Sequence, residues 1–209
     1  MEKAFHPGLK GKPVCVLSSN DGNIVALTPE AKALGLRRRD PVFKVQKVIE
    51  RSGVTLFSTN MILYAAMSRR VTFILRKSIS HIENYSIDES FCDLTGYEQH
   101  HDLGTFMREI SKKILLWTDV QVSVVVAPTK TLAKMGSHFA KKYKGYDTVC
   151  VIDTEEKRRK ALKIFPLEDV WNKGRATFEK LTRLGVRTPL EFADKPEAWV
   201  RRNFTSPGV

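Results

Sequence analysis

Apolar and polar positions divide the chain into short elements. Val14 to Leu17 is an apolar run that reads as a strand, Asn20-Asp21-Gly22 as a hairpin turn, and Ile24 to Ala26 as the returning strand. Thr28-Pro29 follows as a helix start, with a hydroxyl to cap the first amides and a proline whose missing N–H costs nothing there. Gly35 ends that helix, Asp40-Pro41 begins another, and Gly53 closes it. Val54 to Phe57 is a short β-rich run, and Met61 to Lys77 has the pattern of a long amphipathic helix.

The second half is patterned differently. Tyr85, Ile87, Phe91 and Leu94 suggest strand within Ile82 to Gly96, but Asp88-Glu89 interrupts them. Leu103, Phe106, Met107, Ile110 and Ile114 recur at helical spacing, which predicts a helix over Asp102 to Trp117 with one apolar face. Val120 to Val126 reads as a strand covered on both faces, Thr129 to Lys142 as a basic helix, and Val149 to Ile152 as a further strand. After Asp153 only short, charged helical segments appear, so a domain boundary is expected near residue 153, α/β before it and helical after it.

Charge narrows the classes of partner. Thirty-five Lys and Arg face 23 Asp and Glu, for a net charge of +12. Many of the cations are clustered, at 37–39, 141–144 and 157–160. Such an excess fits a polyanionic partner, nucleic acid above all, and equally a solvated cationic surface; the clustering favours phosphate. No apolar run is long enough to span a bilayer and no membrane partner is expected. Cys15, Cys92 and Cys150 lie far apart in apolar surroundings, as buried reduced thiols do, which points to the cytoplasm.

The densest chemical signal is Ser86-Ile87-Asp88-Glu89-Ser90. Adjacent carboxylates between apolar strand segments repel each other, and a divalent cation removes that penalty. Magnesium suits such a pair because it takes carboxylate oxygens and bridges to phosphates. Neighbours on a regular strand point to opposite faces, so one metal can be shared only at a bend or turn. A lone Asp-Glu is most commonly a solvated hairpin tip.

Several ordered strings add to this reading. "YSIDESFCDLTG" resembles the palm motif of the Y-family (translesion) DNA polymerases, and "APTKTLAKMGSHFAKKYKG" resembles the palm helix of that family. "GKPVCVLSSNDGNIVALTPEAKALGL" is similar to the fingers hairpin and helix, "FSTNMILYAAMSRRV" to the fingers-to-palm helix, and "LEDVWNKGRATFEKLTRLGV" to the thumb's helix-hairpin-helix. The likeness points to the UmuC branch and runs from about Ala4 to Phe204.

The resemblance implies an α+β fold: an antiparallel palm sheet with packed helices, a small fingers subdomain and a helical thumb. It divides the chain into fingers over 1–60 with a remnant of the N-terminal palm helix, palm over 61–153, and thumb over 154–209. It implies error-prone, DNA-directed DNA synthesis past lesions with two magnesium ions held by Asp88 and Glu89. Lys141 and Lys32 match contacts to the incoming deoxynucleoside triphosphate. Lys130 and Lys134, one helical turn apart, read as contacts to DNA phosphate or as a solvated surface; the likeness of the thumb hairpin implies that Lys173, Gly174 and Arg175 face primed template DNA. A UmuD-like accessory subunit and a RecA-type filament are the further partners implied.

Three departures accompany the match. Asn172 stands where the family usually has the first hairpin glycine; asparagine tolerates positive φ next best, so the turn is expected to survive. The first palm strand, with a third metal-binding aspartate and an aromatic steric gate, has no counterpart before Met1-Glu2-Lys3-Ala4-Phe5. The little-finger domain expected after Phe204 is likewise missing. The resemblance therefore implies an incomplete catalytic core, or else a catalytically inactive DNA-binding remnant.

Overall fold

A computed structural model describes residues 1–142 and 148–204, apart from the side chains of Lys141 and Lys142. The chain is mixed α+β and forms two compact units: Met1–Asp93 with Ile114–Val120, and Leu94–Lys113 with Gln121–Val209.

The first unit is built on a three-stranded sheet. Strands β1 (Val14–Leu17) and β2 (Ile24–Leu27) pair antiparallel, and β3 (Thr55–Ser58) pairs with β1 in parallel, giving the order β2-β1-β3. Asp21 takes a positive φ of 53° in the turn between β1 and β2. Helix α1 (Glu2–Phe5) precedes the sheet, and α2 (Pro29–Ala33) follows β2. The Thr28 hydroxyl accepts the Ala31 amide at 3.3 Å, so the cap expected from Thr-Pro forms. Helix α3 (Val42–Arg51) completes a core in which Cys15, Ile24 and Ala31 are fully buried. Each such side chain taken from water stabilises the unit by about 1.5–3 kcal/mol when it is as large as isoleucine.

Helix α4 (Met61–Arg76) is capped by Asn60, whose side-chain oxygen accepts the Leu63 amide at 3.0 Å. Beyond it β4 (His81–Asn84) and β5 (Ser90–Asp93) form an antiparallel hairpin. Helix α5 (Leu103–Thr118) begins in the second unit, and its last residues belong to the first.

In the second unit β6 (Val124–Val126) and β7 (Val149–Val151) pair in parallel, with α6 (Lys130–Lys142) between them in sequence. A helical crossover of this length returns the chain in the same direction, as parallel pairing requires. Gly136 lets α6 approach: a Cβ there would lie 2.4 Å from Val125 Cγ1. The core beneath α6 joins Leu132, Met135 and Phe139 to Cys150, Ile152 and Phe165. Helices α7 (Glu155–Ile164), α8 (Arg175–Arg183), α9 (Pro189–Ala193) and α10 (Glu197–Asn203) follow, with Leu181 and Val186 buried in a smaller cluster.

Two expectations are corrected. The strands after residue 60 do not form one antiparallel sheet: among the described residues β4–β5 is antiparallel and β6–β7 is a separate parallel pair, because a helix rather than a turn joins the latter. The strand read over Val120 to Val126 is limited to Val124–Val126, since only these three residues find partners on β7.

Candidate functional site

Asp88 and Glu89 lie in the loop joining β4 to β5, and both are exposed. The loop is closed by its own backbone, because the N–H groups of Tyr85 and Ser86 both donate to the Glu89 carbonyl, at 3.1 and 3.0 Å. The Ser86 hydroxyl donates to Asp88 Oδ1 at 2.7 Å, which fixes that carboxylate relative to the chain. The pair therefore sits off the regular ladder, where the alternation of strand side chains no longer separates neighbours.

The hairpin is anchored at the base of this loop. Asn84, the last residue of β4, accepts the Thr72 hydroxyl of α4 at 3.3 Å and the Ser90 hydroxyl of β5 at 3.2 Å through Oδ1. Tyr85 meets Phe91 edge-on, with ring centroids 5.6 Å apart. Cys92 lies two residues beyond Ser90, and burial pushes its thiol up to about 11. It is therefore protonated at neutral pH and supplies no thiolate ligand or nucleophile. The local donors are carboxylate oxygens, a set that fits magnesium rather than a soft metal. No group of three His, Cys, Asp or Glu suited to a metal occurs among the described residues.

The predicted basic residues fall in several places. Lys32 is exposed on α2. Lys130 is exposed at the start of α6, whereas Lys134 is half-buried with its ammonium 5.5 Å from the centre of the Trp171 ring. This contact ties α6 to the start of the Asn172-Lys173-Gly174 turn. Asn172 adopts φ 61°, so asparagine does supply the left-handed residue expected of the turn. Gly174 is the N-cap of α8 and no side chain caps that end, which leaves backbone amides to meet an anion. Lys173 is half-buried, and Arg175 forms an exposed ion pair with Glu179 at 2.7 Å. Lys141 lies in the last turn of α6, and its side chain lies outside the described residues.

The roles of Asn84, Ser86 and Trp171 escaped the sequence reading. Ser86 was within the quoted motif, but its bond to Asp88 depends on the loop conformation; Asn84 and Trp171 act through residues distant in sequence.

A model of the impB/mucB/samB family matches residues 1–138, about two-thirds of the chain. The chain belongs to this family. Among its relatives, Protein UmuC of Salmonella typhimurium is 44% identical over 204 residues, covering 97% of this chain and 48% of that protein. DNA polymerase IV of Saccharolobus solfataricus is 30% identical over 195 residues, 89% of this chain and 53% of that protein. The chain thus spans about half the length of the curated relatives it matches. Among solved structures, DinB from Sulfolobus solfataricus superposes with a TM-score of 0.76 at 25% identity, covering 97% of this chain and 58% of that chain. A Y-family DNA polymerase chimera gives a TM-score of 0.79 at 25% identity over 99% of this chain and 60% of its own. The mixed α+β fold of this family member is therefore similar to the matched part of these polymerase structures.

Proposed function

We propose that this chain forms part of a DNA-directed DNA polymerase of the error-prone translesion type, with fingers over 1–60, palm over 61–153 and thumb over 154–209. Its family membership supports this reading, and the observation that carries it is the closed, exposed loop presenting Asp88 and Glu89 in succession. Bound there, two magnesium ions would lower the pKa of the primer hydroxyl and offset charge on the outgoing pyrophosphate. Asp88 and Glu89 would hold them, with Ser86 restraining Asp88. Lys32 and Lys141 would contact the deoxynucleoside triphosphate. The uncapped start of α8 at Gly174 would hold a phosphate of primed template DNA through backbone amides. Lys130, Lys173 and Arg175 would add charge around it, while Lys134 braces the turn through Trp171. A UmuD-like subunit, a RecA-type filament and a cytoplasmic setting belong to the same proposal.

Single-nucleotide incorporation on a primed template tests it. The resemblance places a third aspartate on a strand outside these residues, so the assay compares the chain with a fusion carrying that strand from a UmuC-like relative. The fusion should incorporate nucleotide in magnesium, and Asp88→Ala or Glu89→Ala should reduce the rate at least about a hundredfold. A folded fusion that stays inactive would leave the inactive DNA-binding reading, and activity that survives loss of both carboxylates would refute the assignment.

A further inference from the structure

Several arginines of the later helices have acidic partners that those of α4 lack. Arg158 is held by Glu155, Arg175 by Glu179 and Arg201 by Glu197, each on its own helix. Helix α4 carries Arg69, Arg70 and Arg76 with no acidic residue in its 16 positions. None of the three forms an ion pair with another described residue. The helix dipole accounts for cations in the last turn, where Arg76 and Lys77 lie. It does not account for Arg69 and Arg70 in the middle.

These arginines line an open groove of about 850 Å³ together with Phe73, Asn84 and Trp117. Phe73 and Trp117 are 59% and 49% exposed, and the Lys77 ammonium stands 4.8 and 5.2 Å from their ring centres. Asn84 uses Oδ1 to accept from Thr72 and Ser90, so its amide nitrogen remains to donate. Guanidinium, ammonium and amide are all donors, and a matching ligand must be rich in acceptors. It must also offer flat groups to the exposed rings. On the helix Arg69, Phe73 and Arg76 follow at spacings of four and three, placing a ring between two cations on one face. The two arginines are separated by about 10 Å of helix rise. Charge, ring and charge in that order match a single strand, in which phosphates alternate with stackable bases. An acidic polypeptide would answer the cations and leave the rings unmatched.

We propose that this face of α4 binds single-stranded nucleic acid. The site does not depend on the polymerase reading, since none of its groups is assigned to catalysis.

Binding of a labelled octathymidylate to the whole chain, measured by fluorescence anisotropy across a salt series, tests the proposal. The double variant Arg69→Gln/Arg76→Gln should weaken binding about tenfold or more and reduce the salt slope by about 1.4, the value for two lost single-strand phosphate contacts. Phe73→Ala should weaken binding about fivefold or more and leave the slope in place. All the altered side chains are exposed, and circular dichroism verifies that the variants fold. Ultraviolet cross-linking of a bromodeoxyuridine oligomer should label the peptide containing Phe73 or that containing Trp117. Unchanged affinity and slope in the double variant, or cross-links confined to other peptides, would overturn the proposal. So would a poly-glutamate chain of equal charge that binds as tightly and loses as much in the double variant, because the groove would then serve an acidic polypeptide.

Discussion

The β2-β1-β3 sheet and the β4–β5 hairpin are built from strands of the same length, four residues each, yet they are held by different forces. The sheet buries Cys15 and Ile24 completely under α2 and α3. The hairpin buries no residue fully and depends on the Asn84 hydrogen bonds and the Tyr85–Phe91 contact. A buried sheet can carry no charge cheaply, whereas an exposed loop can carry adjacent carboxylates and present them to a cation. Packing therefore makes the first region a scaffold, and exposure leaves the second available for chemistry.

The largest test of this contrast is Ile24→Ala. It should destabilise the chain by about 3 kcal/mol in urea unfolding, because it leaves a cavity in a closed core. Asn84→Ala should cost only about 1 kcal/mol, the net value of its hydrogen bonds, and speed amide exchange of Tyr85 and Ser86 without affecting β1. Equal losses in the two variants would break the contrast. The smallest effect is that of acid on α2. The Glu30 carboxyl is held below its ordinary value by its own backbone N–H, then by the Thr28 hydroxyl and Lys3. Its folded pKa is below its unfolded one, so its contribution is present above the ordinary glutamate range and lost as pH falls through the lowered value. Protection of the α2 amides, taken relative to their intrinsic exchange rates at each pH, should accordingly fall as pH drops below the ordinary glutamate range. Protection in α2 that does not respond to acid would remove Glu30 from the forces holding the sheet.

Much of the scaffold was legible because its signals are local. Thr28-Pro29 capped a helix, Gly35 and Gly53 took positive φ after α2 and α3, and Asn172 supplied a left-handed turn residue. The direction of β7 was not legible, since Val-Val-Val of β6 and Val-Cys-Val of β7 read alike in parallel and antiparallel pairs and only the helix between the two strands settles it. Asp88 and Glu89 were legible as a pair at a bend, but the loop's closure by the Glu89 carbonyl was not, being a property of backbone conformation. The absence of acids from α4 could be read from the sequence, but the convergence of its arginines with Asn84 and Trp117 could not.

The most direct test of the central claim is paramagnetic manganese titrated into the ¹⁵N-labelled chain with a deoxynucleoside triphosphate present. Manganese takes the same oxygen ligands as magnesium and broadens nearby amides. The account predicts early loss of the Ser86 to Ser90 signals while those of β1 and β2 persist, and no such loss in Asp88→Asn/Glu89→Gln. Early broadening elsewhere, or loop broadening that survives in the double variant, would contradict it.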